Sequence, residues 1–116
     1  ATTITTTITT LEEWEAHKAA ASEPLLLQCG SPQCVRCPDF TTKINVLKET
    51  FRFVHVYVNT HDCEESLLDD LQVTQLPAYM LVHNGAVARG QAATPQQIAD
   101  AVQQMCPPAL VLDDDF

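Results

Sequence analysis

Cys34-Val35-Arg36-Cys37 lies between two segments whose patterns demand different structures, and that junction constrains the fold more than any other feature of the chain. Upstream, Leu25-Leu26-Leu27 is a continuous apolar run suited to a strand. Downstream, Phe40, Ile44, Leu47 and Phe51 recur at spacings of four, three and four, the repeat of an amphipathic helix. Strand, loop and helix in that order put the two cysteines near a helix start, where unpaired backbone N–H groups and the positive end of the dipole favour an anion. The reactive species of cysteine is the thiolate anion, so Cys34 stands where thiolate is favoured. Two thiols three positions apart can close into a disulfide and reopen with little backbone movement. A redox role is the first hypothesis.

Composition narrows the alternatives. A chain of 116 residues with 46% hydrophobic content makes one domain with a core. No stretch approaches the ~20 apolar residues of a membrane span, and the Thr-rich start lacks the charged and apolar regions of a signal peptide, so the expectation is a soluble, cytoplasmic protein with no membrane partner. With 15 acidic against 6 basic residues and a formal charge of -9, the surface should repel phosphate backbones, and nucleic acid is not an expected partner. Five cysteines without regular spacing argue against a secreted disulfide framework; one working pair plus three others suits a reducing compartment.

Along the chain, Ile4 to Ile8 alternates with threonine and reads as a first strand, after which Thr10 with Glu13 forms a capping box opening a helix through Leu11, Trp14 and Ala21. Glu23-Pro24 ends it. Beyond the cysteine helix, Phe53 to Val58 is a β-branched and aromatic run typical of a buried central strand, followed by a short helix from about Glu64 to Leu71. Ala78 to His83 and Val87 to Arg89 flank Asn84-Gly85, a pair that tolerates positive φ and so predicts a tight antiparallel hairpin. Thr94-Pro95-Gln96-Gln97 reads as N-cap, proline at the first helical position and capping-box glutamine, opening a helix whose apolar face is Ile98, Val102 and Met105. Pro107-Pro108 stops it, and Ala109 to Phe116 reads as a solvated acidic tail, giving a domain over 1–106 and a tail over 107–116.

This order, βαβαβαββα with a CxxC after the second strand and a proline before the fourth, resembles the thioredoxin family from about Ile4 to Met105. Leu25-Leu26-Leu27-Gln28 matches the family's second strand without a gap to the cysteines. Leu76-Pro77 falls where the family places its cis-proline, Asn84-Gly85 at its hairpin turn, and Gly90 near its later glycine. The resemblance implies an α/β thioredoxin fold: a central mixed sheet, parallel strands plus an antiparallel C-terminal hairpin, flanked by about four helices. It implies a thiol-disulfide oxidoreductase without cofactor or metal. Cys34 would attack a protein disulfide, Cys37 would resolve the mixed disulfide, and an upstream disulfide reductase would reset the pair. Apart from the resemblance, a monomer is expected. Gln33, Arg36, Leu76 and Pro77 would contact substrate, while Val35, Arg36 and Gln28 would tune the thiolate. A shift of the attacking thiol from about 8.5 to about 7 would raise its thiolate from a few per cent to about half at neutral pH, roughly 2 kcal/mol.

Four departures from the family pattern stand out. Gln33 stands where the family has tryptophan, Val35-Arg36 where it has Gly-Pro, and Gln28 at its buried aspartate, where an amide cannot accept the proton the resolving thiol must lose. Pro38 removes a backbone donor near the helix start. These changes motivate a rival reading, a binding or adaptor module that uses the groove beside Pro77 without catalysis. A further alternative is a [2Fe–2S] protein, because Cys29, Cys34, Cys37 and Cys63 approximate a plant-type spacing. Zinc on Cys34, Cys37 and two of His17, His55, His61 and His83 is weaker still, since no histidine pair has ligand spacing. Taken blandly, Cys29 is a small buried hydrophobe, Cys63 and Cys106 are incidental surface thiols, and the histidines are surface or strand-packing residues.

Overall fold

The computed structural model describes residues 5–108; Ile4, expected to begin the first strand, and the tail from Ala109 onward lie outside the described residues. The elements are β1 (Thr6–Ile8), α1 (Leu11–Ala20), β2 (Leu25–Gly30), α2 (Cys37–Thr50), β3 (Val54–Asn59), α3 (Glu65–Leu71), β4 (Ala78–His83), β5 (Ala86–Gly90) and α4 (Pro95–Met105). This is the thioredoxin fold that the element order predicts. The five strands form one sheet in the order β1-β3-β2-β4-β5, with β1 and β2 parallel to β3, and with β4 antiparallel to both β2 and β5.

Strand alternation sends side chains to two faces, and each face has its own core. Leu26, Phe53 and Leu81 meet Phe40, Ile44 and Leu47 of α2 and Ile98 and Val102 of α4. On the other face Ile8, Leu25, Leu27, Val56 and Val58 meet Trp14 of α1 and Leu67 and Leu71 of α3. All six residues of β2 are buried, which explains why its sequence reads as an apolar run rather than an alternation. The strand extends beyond the three leucines to Gly30, because Gln28 and Cys29 are also paired to both neighbours.

The helix boundaries follow local chemistry. Thr10 and Thr94 both close capping boxes, with Glu13 and Gln97 respectively reaching back to the cap N–H. Asn84 and Gly85 both adopt positive φ and turn β4 into β5. α4 ends at Met105, but the chain does not leave the domain there: Arg52 N–H donates to Pro107 O at 2.8 Å and Phe51 bridges to Pro108.

A line of polar side chains crosses the core between the sheet and α2. Gln28 and His55 are almost wholly buried and Lys48 nearly so. Lys48 Nζ donates to Thr5 Oγ1 at 2.7 Å, and Gln28 Nε2 donates to Thr41 Oγ1 at 2.7 Å. Between them His55 lies 2.8 Å from Gln28 Oε1 through Nε2 and 2.9 Å from Thr5 Oγ1 through Nδ1. An amide oxygen only accepts, so His55 Nε2 carries the proton and Nδ1 accepts from the Thr5 hydroxyl. Burial, reinforced by the Lys48 charge, pushes the His55 imidazole down to about 3.

Two outcomes are expected. Phe40→Ala, which empties the space of a wholly buried ring stacked on Tyr79, should cost about 3–5 kcal/mol in urea unfolding. His55 titrates near 6.5 when unfolded and near 3 when folded, so the unfolded chain gains the proton first as pH falls. The stabilisation is complete above about pH 6.5 and is lost down to about pH 3. From pH 7 to pH 5 this group alone should remove about 2 kcal/mol, a slope that His55→Leu should abolish in unfolding curves taken at both pH values.

Candidate active site

β2 ends at Gly30, and the chain turns through Ser31 to Arg36 before α2 begins at Cys37. The turn is held by Cys34 N–H donating to Ser31 O at 3.2 Å and Cys37 N–H donating to Cys34 O at 3.3 Å. Pro38 occupies the first turn of α2, where a missing N–H breaks no helical bond, so the helix starts regularly at Cys37. No side chain caps this end: Arg36 sits at the N-cap without a side-chain hydrogen bond. Backbone donors there face the active-site loop.

Cys34 and Cys37 are joined by a disulfide, their Cα atoms 5.4 Å apart. The two sulfurs are not equivalent. Cys34 is half-buried at the surface and Cys37 is buried behind it. The Cys37 Sγ sits in a tight place that glycine makes possible: a Cβ at Gly30 would stand 3.3 Å from Cys37 Sγ and 3.0 Å from the Tyr57 hydroxyl. Burial, with a smaller contribution from Cys29, holds the Tyr57 phenol above its usual range, so it stays protonated at neutral pH.

A shallow cleft of about 450 Å³ opens beside Cys34, lined by Ser31, Gln33, Val35, Arg36, Thr74 and Leu76. Of the residues expected from sequence to meet substrate, Gln33, Arg36 and Leu76 therefore share one cleft with the half-exposed sulfur. Pro77, joined to Leu76 by a cis peptide bond, is buried beneath that rim. Gln28 is not in the cleft; it lies below it, in the polar line under α2. Val35 projects into solvent, 91% exposed, the most exposed large apolar side chain beside the cysteines.

Sequence reasoning missed the support of the opposite wall. Gln91, just after β5, accepts at one oxygen from Thr74 N–H at 2.5 Å, Thr74 Oγ1–H at 2.8 Å and Gln75 N–H at 2.9 Å, and its amide nitrogen donates to Gln72 O at 2.7 Å. Arg89 Nη2 donates to Leu71 O. These bonds fix the segment leading to Leu76-Pro77, and no local pattern announced them, because the partners are 16 to 19 residues apart. Thr41 and His55, the partners of Gln28, were also missed; the only signal was that Thr41 follows Cys37 by one helical turn.

The other three cysteines are held away from this chemistry. Cys29 points to the α1/α3 face, opposite the face on which Gly30 and Cys37 approach, and burial, with Cys63 nearby, pushes its thiol up to about 12. The four-cysteine set of the iron–sulfur alternative is therefore not assembled. Among the described residues no three His, Cys, Asp or Glu side chains gather as a metal site requires. Cys63 is half-buried against the Cys29 cluster. Cys106, expected to be an incidental surface thiol, is instead buried, because the end of α4 packs on Leu47 and Phe53; burial pushes it up to about 11.

Known proteins agree with this geometry. The thioredoxin family model matches residues 5–104. A thioredoxin f from spinach chloroplast superposes with a TM-score of 0.73 at 19% identity, covering 86% of this chain and 91% of its own. A thioredoxin from Malassezia sympodialis gives 0.76 at 11%, covering 90% and 92%. The thioredoxin f2 of a complex with ferredoxin:thioredoxin reductase gives 0.74 at 17%, covering 86% and 93%. No curated protein matches the chain in sequence. The model match over most of the chain, on a fold that presents a Cys34–Cys37 disulfide beside Leu76-Pro77, establishes that the chain belongs to the thioredoxin family.

Proposed function

We propose that the protein is a thiol-disulfide oxidoreductase that reduces disulfides in other proteins, acting as a monomer in the cytoplasm. The observation that carries this reading is the asymmetry of the bonded pair: Cys34 lies half-exposed at the mouth of a cleft, and Cys37 lies buried within bonding distance behind it.

In the reduced protein the Cys34 thiolate attacks one sulfur of a substrate disulfide. The new Cys34–sulfur bond forms as the substrate S–S bond breaks, and the first substrate sulfur leaves as thiolate and takes a proton. Cys37 then gives up its proton and attacks Cys34 Sγ, so the Cys34–Cys37 bond forms and the second substrate thiolate leaves and is protonated. Two electrons and two protons pass from the dithiol to the substrate. The cleft beside Cys34 suits an extended peptide bearing the disulfide. Exposed Val35 offers an apolar contact where an aromatic residue is missing, and Arg36 adds positive charge near the nascent thiolate. A dithiol spent in this way must be recharged, and the relative bound to ferredoxin:thioredoxin reductase supports a reductase as the second partner.

Cys34→Ser should lower disulfide reduction more than about 100-fold, and Cys37→Ser should accumulate mixed disulfides with protein substrates, read by non-reducing gels and mass spectrometry. Partner binding that survives both substitutions, with no redox activity in the parent protein, would instead establish the adaptor reading. Gln91→Ala should lower kcat/KM for protein substrates about tenfold, mainly through KM, because the Thr74–Leu76 wall loses its clamp.

A further inference from the structure

The line of side chains under α2, buried at His55 and Gln28 and open to solvent at Thr5, has a direction. Starting from Lys48, each member donates to the next: Lys48 Nζ to Thr5 Oγ1, the Thr5 hydroxyl to His55 Nδ1, His55 Nε2–H to Gln28 Oε1, and Gln28 Nε2 to Thr41 Oγ1. Hydrogen bonds aligned head to tail polarise one another, most where they are buried, as at the His55–Gln28 link, so the positive end at Lys48 strengthens the donor at the far end. That end is Thr41, whose own hydroxyl proton is not used by any link of the line. Thr41 follows Cys37 by four residues on α2, which places the two side chains on one face with Cβ atoms about 5–6 Å apart.

No member of the line can act as a base toward Cys37. The Gln28 oxygen is occupied by His55, its nitrogen is a donor, and the one lone pair of the neutral imidazole is taken by Thr5. What the line can supply is a hydrogen-bond donor.

We propose that Lys48, Thr5, His55 and Gln28 orient Thr41 so that its hydroxyl donates to Cys37 Sγ once the disulfide is opened, stabilising the resolving thiolate by a donated hydrogen bond instead of removing its proton with a base. In this step the Cys37 S–H bond breaks, the proton passes to water, the electron pair stays on sulfur and the Thr41 O–H bond remains intact. In the opened state proposed here Thr41 would touch the reacting atom; the other four are positioning residues. Among the described residues, the titratable and charged groups on the elements packed here include Asp39, Lys43 and Lys48 on α2, His55 and Tyr57 on β3, Tyr79 on β4, and Asp100 on α4 with Cys106 at its end. The inference deepens the oxidoreductase reading and rests on it.

The test is the pH dependence of Cys37 alkylation by iodoacetamide in the full chain carrying Cys34→Ser, with each cysteine resolved by mass spectrometry. Adding Thr41→Val should raise the Cys37 pKa by about one unit, a tenfold loss of thiolate at neutral pH. Thr41→Ser should restore it, and Lys48→Met should move it in the same direction by about half as much, each variant first checked for folding by circular dichroism. An unchanged Cys37 pKa in both Thr41→Val and Lys48→Met overturns the proposal: the Thr41 proton then serves the Cys37 carbonyl one turn back, and the line only packs the core. With Cys34 and Cys37 both present, Thr41→Val should slow the resolution of mixed disulfides about tenfold while leaving the first attack unchanged. If the parent protein reduces no disulfide at all, the oxidoreductase reading fails by itself, whereas the Cys37 pKa series still decides whether the donor exists.

Discussion

The burial of β2 on both faces is the constraint from which the site follows. A strand flanked by β3 and β4, and covered by helices above and below, cannot leave any polar group without a partner, because an unmet donor or acceptor there costs about 1–3 kcal/mol. Its backbone is satisfied by pairing along its length to β3 and, from Leu25 to Cys29, to β4. Gln28 is the exception in side-chain chemistry, and its two amide ends require two partners on one face. His55 comes from the neighbouring strand and Thr41 from the helix above. Those two bonds tie β2, β3 and α2 together directly below the cysteine loop. They also pass the demand on, since His55 then needs an acceptor's partner at Nδ1, which Thr5 supplies, and Lys48 completes the Thr5 hydroxyl.

The same burial accounts for what could be read from the residues alone. Capping boxes at Thr10 and Thr94, the Asn84-Gly85 turn and the apolar spacing of α2 are local patterns whose physics is complete within a few residues, and they fixed those elements closely. The cysteine loop was legible for that reason too, as the junction of a strand pattern and a helix pattern. The edges of the strands were less so: β3 runs from Val54 to Asn59 because its pairing partners on β2 extend to Gly30, which is information from another strand. Gln28 was visible as an odd residue in an apolar run, but its partners were not, because they come from 13 and 27 residues away. The wall built by Gln91 was illegible for a similar reason. Cys106 looked exposed from its place at a helix end, yet it is buried in the cluster with Leu47 and Phe53.

Substitutions that look like losses at the active site are partly offset by their surroundings. Without a tryptophan before Cys34, the cleft presents polar Gln33 on one side of the sulfur and exposed Val35 on the other. Pro38 removes a donor, yet it does so in the first turn of α2, where that donor has no helical acceptor. The start of α2 keeps an uncapped end facing an exposed loop, so a negative charge on Cys34 meets backbone dipoles without competition from a capping side chain.

Selectivity among five thiols then follows from solvation. A thiol at about 12, as at Cys29, or at about 11, as at Cys106, is thiolate in only about one molecule in 10⁵ or 10⁴ at neutral pH, and both are also buried from large reagents. Cys63 is more accessible, but burial and the carboxylates of Asp62 and Glu64 act together to hold it in the thiol form. Exchange requires a thiolate that an incoming disulfide can reach in line, so neither accessibility nor ionisation is sufficient alone. Cys34 lies at a helix start and at the mouth of a cleft, and in the proposed exchange Cys37 needs no access to substrate because its target is the sulfur in front of it. On that proposal the fold directs exchange to one pair while three further cysteines remain in the same small domain.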